Sequence, residues 1–194
     1  MIIWLNGAFG AGKTQTAYEL HRRLPNSYVY DPENAGFFLR DNLPPGLAPA
    51  DFQDHPLWRS FNLEMLDDIA TRFNGHIIVP MTITNRAYYD ELVSALSQTH
   101  ELRHFILWAG ERTLRKRLAS RWEGPGSWGA QQIDRCLRAF ETAVTEEKIN
   151  TDGLNIQQVV ERVGTLCGLA LAPDRRGPLR RELDRLATQI GHIR

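Results

Sequence analysis

Gly7, Gly10, Gly12, Lys13 and Thr14 carry the clearest chemistry in this 194-residue chain. They sit in Gly7-Ala8-Phe9-Gly10-Ala11-Gly12-Lys13-Thr14, a G-x-x-x-x-G-K-T pattern. Glycines at these spacings open dihedrals closed to other residues, so successive N–H groups can turn inward on an anion. A helix starting here aims its positive end at the same point. Lys13 then reaches the outer phosphates of a nucleotide, and the Thr14 hydroxyl suits Mg²⁺. The nucleotide would be cradled by Gly7, Ala8, Phe9, Gly10, Ala11, Gly12, Lys13, Thr14 and Gln15. The competing reading is a chance match in an ordinary strand–loop–helix. The apolar run before the loop and the helical pattern after it argue against that.

Other candidates stand further along. Asp31 follows a β-type run, where a carboxylate could accept a proton from an acceptor hydroxyl or hold a water on Mg²⁺. It could equally be an Asx-Pro turn that ends the strand. Arg115, Lys116, Arg117 and Arg121 crowd one predicted helix, beside the Gly/Pro-rich stretch Glu123–Gly129. Guanidinium forks suit the charge spread over a transferring phosphoryl group, so Arg117 and Arg121 are the candidate lid pair. The alternative is a solvated basic face. Arg40, Phe52 and Arg59 belong to a stretch that mixes aromatics and charge and could line an acceptor pocket. A packed lobe centred on Trp58 is the plainer option. Thr82 ends a strand, where ligands of α/β sheets bind.

These residues need a scaffold, and the alternation of patterns supplies one. β-type runs fall at Ile2–Asn6, Ser27–Tyr30, His76–Val79, Arg103–Trp108 and Lys148–Thr151. Helical spacing fills the intervals, including Gln15–Leu24, Glu33–Asp41, Asn85–His100, Glu111–Trp122 and Gln131–Glu147. In the helix opened by Pro56, Trp58, Phe61, Met65, Ile69 and Phe73 are expected to face inward. Asn155 with Gln158 reads as a capping box. The expected fold is a single three-layer α/β/α domain over 1–194, with a five-stranded parallel sheet. Its lid would span about 111–130, and an amphipathic helix about 178–194.

Charge and composition narrow the function. Net charge is zero and 42% of residues are hydrophobic, which allows a sizeable core and carries no nucleic-acid signature. From Asp31 to Glu101 there are eleven acids against four arginines, whereas Glu111–Arg138 holds seven bases against three acids. A basic second half suits a polyanionic nucleotide. Cys136 and Cys167 fit core positions rather than a disulfide framework. No apolar run approaches the ~20 residues of a membrane span, and the expected location is cytoplasmic. In the tail, Leu179, Leu183, Leu186, Ile190 and Ile193 share a stripe opposite arginines. Packing on the domain or on a second copy is the plainer expectation, and an anionic membrane surface the other.

Several runs resemble the bacterial tunicamycin-resistance ATP-binding protein family. They are Met1–Ala17, Tyr28–Glu33, Asp51-Phe52-Gln53 with Pro56-Leu57-Trp58-Arg59, Ile78–Thr82, Gln132–Cys136, and a tail from Arg176-Gly177 to His192-Ile193-Arg194. The resemblance covers nearly the whole chain. It implies an ATP-binding protein that confers resistance to tunicamycin, a nucleoside antibiotic that mimics a UDP–amino-sugar. It also implies a fold similar to small-molecule and nucleoside-monophosphate kinases, an arginine lid, and membrane association through the tail. One part departs from many such enzymes: the third strand ends Val79-Pro80-Met81-Thr82, with no Asp for Mg²⁺. The resulting expectation is phosphoryl transfer from ATP to the drug or a related nucleoside or sugar compound. Lys13, Asp31, Arg117 and Arg121 would do the chemistry, and Asp31, Arg40, Phe52, Arg59 and Thr82 would bind the acceptor. The alternative is a nucleotide-gated protein that sequesters the drug at a membrane.

Overall fold

Ile2-Ile3-Trp4-Leu5 offers no polar side to water, so this strand has to be covered on both faces. The structure is a computed structural model and describes residues 1–44, 46–121 and 123–191, with the Ile190 side chain left aside. All of β1 (Ile2–Asn6) is buried. The chain continues through α1 (Lys13–Arg23), β2 (Ser27–Val29), α2 (Glu33–Asn42), a 3₁₀ turn at Phe52–Asp54, α3 (Pro56–Arg72) and β3 (His76–Pro80). Next come α4 (Arg86–Tyr89), α5 (Ala95–Thr99), β4 (Leu102–Trp108), α6 (Glu111–Ala119), α7 (Trp128–Gln131) and α8 (Ile133–Thr142). The chain closes with β5 (Lys148–Asn150), α9 (Ile156–Leu166) and α10 (Pro178–Gly191). A π-helical stretch, Asp90–Ser94, joins α4 to α5.

The five strands are parallel, in the order β2-β3-β1-β4-β5. Leu5 lies between Pro80 of β3 and Phe105 of β4. The chain leaves β1 toward one edge of the sheet and later returns to build the other. The carboxyl end of β1 therefore opens into a switch-point crevice, where such sheets bind ligands. Trp4, fully buried, ties β1 to the end of β3 by donating Nε1 to the Met81 carbonyl at 3.2 Å. The capping box is formed: Asn155 and Gln158 exchange side-chain and backbone bonds at the start of α9.

Two helical expectations need correction. In α3 the buried stripe is Trp58, Asn62 and Leu66, while Phe61 and Met65 are exposed. Asn62 hid the true stripe, because a polar residue is not expected inward. Its burial is satisfied by the Tyr30 hydroxyl, which donates to Asn62 Oδ1 at 2.7 Å, and by the Trp58 carbonyl, which accepts from Nδ2 at 2.7 Å. The long helix expected over 131–147 is two shorter ones, since Ser127 caps α7 and α8 ends at Thr142. Pro45, Trp122, His192, Ile193 and Arg194 lie outside the described residues. Trp58→Ala should destabilise by about 3–5 kcal/mol, the usual loss for a fully buried large aromatic. Urea unfolding with an unchanged slope checks this.

The tail helix departs from the core-packing expectation. Leu179, Leu183 and Leu186 are exposed, and α10 meets α1 through polar groups instead. Fully buried Glu19 accepts from Arg176 and Arg22, and Arg176 also bonds Asp174 and Asp184. The Gln15 amide donates to the Arg185 carbonyl at 3.0 Å. Among the described residues no helix is long and apolar enough to cross a membrane.

Candidate functional site

The loop after β1 takes its shape from two close approaches. A Cβ on Gly7 would stand 2.7 Å from the Leu107 carbonyl oxygen, and one on Gly10 2.9 Å from that of Leu114. Gly10 and Gly12 also hold φ of +83° and +93°, conformations that favour glycine. Asn6 fixes the loop's first turn. Its Oδ1 accepts from the N–H groups of Gly7 and Ile83, and its Nδ2 donates to the Ile83 carbonyl and contacts His104 Nε2. Thr82 belongs to the same brace: its hydroxyl donates to the Gly7 carbonyl at 2.8 Å and is buried. The structure thus brings Thr82 to the loop as a support.

Gly12 caps α1 without a side-chain bond, which leaves the first-turn N–H groups aimed at the loop's interior. Lys13 is buried, and its ammonium donates to the carbonyls of Gly7 and Ala8 at 3.0 and 3.2 Å. Burial pulls its pKa down to about 8, opposed by the charges of Glu33 and Asp31, with Arg121 pushing the same way as burial. An incoming phosphate favours the ammonium. Above pH 8 nucleotide binding should therefore take up a proton, and affinity should fall by up to about tenfold per pH unit. Titration calorimetry in buffers of differing ionisation enthalpy reads that proton directly. Thr14 stands in the same first turn, half-buried. Gln15 contributes backbone here, since its side chain faces α10.

The basic segment closes one side. Phe9 meets Trp128 edge to face at 5.0 Å, and a Cβ on Gly129 would touch its ring at 3.2 Å. The Phe9 N–H also donates to buried Cys136, so α7 and α8 both rest on the loop. Arg117 and Arg121 influence one another, but the helix expected from Glu111 to Trp122 ends at Ala119, so only Arg117 is on it and the two do different things. The Arg117 fork bonds the Thr151 hydroxyl and carbonyl at 3.1 and 2.8 Å, at the end of β5. Arg121 lies past α6 in a turn and acts on Lys13. Both guanidinium pKa values are lowered, chiefly by burial.

On the opposite side, Asp31 accepts from the Glu33 N–H at 3.0 Å, so the Asx turn is real. Asp31 also lines a cavity of about 430 Å³ between α2, α3 and the end of β2. The two readings of Asp31 are compatible: the turn uses one carboxylate oxygen. Glu33, which drew no separate role from the sequence, is the acid with the largest effect on Lys13. Its position one residue past Pro32, opening α2, was the available signal. Arg40, Phe52 and Arg59 do not line the cavity. Arg40 is exposed and stacks over Phe37 at 4.9 Å. Phe52 packs against Trp58 at 5.4 Å and over Gly36. Arg59 is held by Glu91 and the Gln53 carbonyl and stacks on Tyr88 at 4.2 Å.

Mg²⁺ carried by a nucleotide needs only one or two protein oxygens, because phosphates and waters fill the rest. Thr14, in the first turn of α1 after the loop, has the hydroxyl such an ion takes. Among the described residues there is no cluster of three or more His, Cys, Asp or Glu side chains for a resident ion. His104 is structural. Burial pushes its imidazole down to about 3, and its ring packs edge to face on Tyr89 at 5.0 Å. The unfolded chain binds this proton below about pH 6.5, the folded chain only near 3. Stability should thus fall by up to about 1.4 kcal/mol per unit as pH drops below 6.5. Chemical denaturation across pH 4–7, compared with His104→Gln, isolates the contribution.

Fold and site together define a P-loop, kinase-like α/β domain that binds nucleotide. Residues 2–143 match the family model described as an AAA domain. Comparison with curated proteins finds no match. Among solved structures, the tunicamycin resistance protein of Deinococcus radiodurans is 38% identical, with a TM-score of 0.75, over 89% of this chain and 98% of that one. A sugar kinase from Janibacter sp. superposes at 0.63 with 17% identity, covering 87% of this chain and 95% of its own. Shikimate kinase from Bacteroides thetaiotaomicron superposes at 0.59 with 20% identity, covering 87% and 99%. These two share the fold. The chain belongs to the tunicamycin resistance protein family of AAA-domain P-loop proteins.

Proposed function

We propose that the protein confers tunicamycin resistance by transferring the γ-phosphoryl group of ATP to a hydroxyl of the drug or of a related nucleoside or sugar compound. One observation carries this reading: Asp31 both lines the cavity and acts electrostatically on Lys13 of the phosphate loop. An acceptor hydroxyl in the cavity would lie beside the donor phosphates. Asp31 would take the hydroxyl proton as the oxygen bonds to the γ-phosphorus and the bond to the β–γ bridging oxygen breaks, releasing ADP. Lys13, the loop amides and Arg121 would stabilise the charge on the phosphoryl oxygens. Arg117, fixed at the end of β5, would bound the nucleotide on that side. Mg²⁺ held by Thr14 and the phosphates, with Glu33 on its waters, would neutralise charge on the nucleotide. ADP release measured with and without tunicamycin tests the reading. Stimulation by the drug is expected, and an unchanged rate with saturating MgATP would count against it.

A second reading is nucleotide-gated sequestration without chemistry, at a membrane or through a homodimer. It draws on the exposed Leu179, Leu183 and Leu186 of α10, flanked by Arg180 and Arg181, and on the β3 end that lacks a carboxylate. Resistance that survives Asp31→Asn but not deletion of residues 178–194 would favour it.

A further inference from the structure

Two carbonyls hold the Lys13 ammonium at the centre of the phosphate loop, and each has a second partner. The Ala8 carbonyl accepts from Lys13 Nζ at 3.2 Å and from the Ala11 N–H at 3.1 Å. The Gly7 carbonyl accepts from Nζ at 3.0 Å and from the Thr82 hydroxyl at 2.8 Å. A carbonyl oxygen has two lone pairs, so both acceptors are filled. The second partner of Ala8 belongs to the loop itself. That of Gly7 is a side chain from beyond β3, 75 residues away in the chain.

Nucleotide asks Lys13 to give these bonds up, because its ammonium has to turn to the phosphates. Gly7 is buried, and a buried carbonyl left without a partner carries the full cost of its desolvation. The Thr82 hydroxyl removes that cost on the Gly7 side. Thr82 is 5% exposed and is fixed through both of its neighbours. Trp4 Nε1 donates to the Met81 carbonyl at 3.2 Å, and the Met81 N–H donates to the Leu5 carbonyl at 3.1 Å. Asn6 grips Ile83 on both sides, accepting from its N–H and donating to its carbonyl, each at 2.9 Å. All of these bonds run to β1 and none involves Lys13, so the hydroxyl keeps its place when the ammonium turns.

We infer that Thr82 is a positioning residue for nucleotide binding: it keeps the Gly7 carbonyl satisfied and so frees Lys13 for the phosphates. The inference rests on nucleotide binding by the loop and not on phosphoryl transfer. It gives a task to the end of β3, a strand that carries no carboxylate.

The test uses the full chain, with MgATP as the probe. Thr82→Val removes the hydroxyl and keeps the branched shape. In this variant the Gly7 carbonyl keeps Lys13 as a partner until nucleotide arrives, so MgATP affinity should fall by roughly five- to hundredfold. Thr82→Ser, which restores the hydroxyl, should recover most of that loss. A hydroxyl that only braced the fold would not be coupled to Lys13. Urea unfolding without nucleotide therefore compares Thr82→Val, Lys13→Met and the double variant. Thr82→Val alone leaves the Gly7 carbonyl bonded to Lys13. Added to Lys13→Met it leaves that oxygen with neither partner, so its loss of stability should be greater there. Losses that simply add overturn the inference. So does MgATP binding by Thr82→Val as tight as the parent's, or by Thr82→Ser as weak as that of Thr82→Val. A parent that binds no MgATP overturns the nucleotide reading and the inference with it. Binding that depends on Thr82, with no ADP release, supports the inference and counts only against the transfer chemistry.

Discussion

Asp31→Asn is expected to lower drug-dependent ADP formation by roughly two to four orders of magnitude, the usual contribution of a positioned general base. The substitution is close to isosteric, and the Asn oxygen can still accept from the Glu33 N–H, so the turn that opens α2 persists. Binding of ATP and of the acceptor should change little, and the loss should fall on kcat rather than KM. Glu33→Gln separates the two acids. Glu33 is the main charge supporting the Lys13 ammonium, so its removal should move the pH dependence of nucleotide binding to lower pH. If Glu33→Gln abolished turnover while Asp31→Asn spared it, the roles assigned to the two carboxylates would be exchanged.

Lys13→Met removes the charge at the centre of the phosphate loop. Methionine preserves much of the buried stem but leaves the phosphates without their ammonium. The expected result is a loss of about two to three orders of magnitude in turnover, the scale for deleting one preorganised donor to a transferring group. Resistance in cells should be lost with it. Thermal stability should hold or rise, because a lysine that burial pulls to about 8 is a desolvated charge in the folded chain. A variant that binds nucleotide as well as the parent would contradict the place given to Lys13, whose ammonium already occupies the loop's centre on the Gly7 and Ala8 carbonyls.

Much of the architecture was legible because its signals are local. The apolar run at Ile2–Leu5, the glycine spacing of the loop and the Asn155–Gln158 capping box depend on residues within a few positions of each other. So did the parallel sheet, which follows from strands that alternate with helices. What stayed hidden is long-range pairing of polar groups. Asn62 is inward because Tyr30 meets it from another element, and no helical periodicity reveals that. Glu19 is buried in α1 because Arg176 reaches it from the far end of the chain. Thr82 at the third strand's end suggested a ligand contact, yet its partner is the Gly7 carbonyl. Arg40 and Arg59 have the right chemistry for anchors, but aromatic faces and nearby acids hold them.

The cavity shows the same limit from the other direction. Phe61 and Met65 looked like core by spacing, and their exposure became visible only when α2 and α3 were set side by side. The residues that reveal this cavity are thus apolar ones that fail to be buried. That agrees with the general observation that exposed apolar patches and mostly apolar concavities mark sites of interaction.

If the phosphate loop and the Asp31 cavity act together in a transfer reaction, the drug itself becomes phosphorylated. The most direct measurement is mass spectrometry of tunicamycin after incubation with the protein and MgATP. The expected product is heavier by one phosphoryl group, formed with matching release of ADP and missing from the Asp31→Asn reaction. Unmodified drug recovered from protein saturated with both ligands would contradict it.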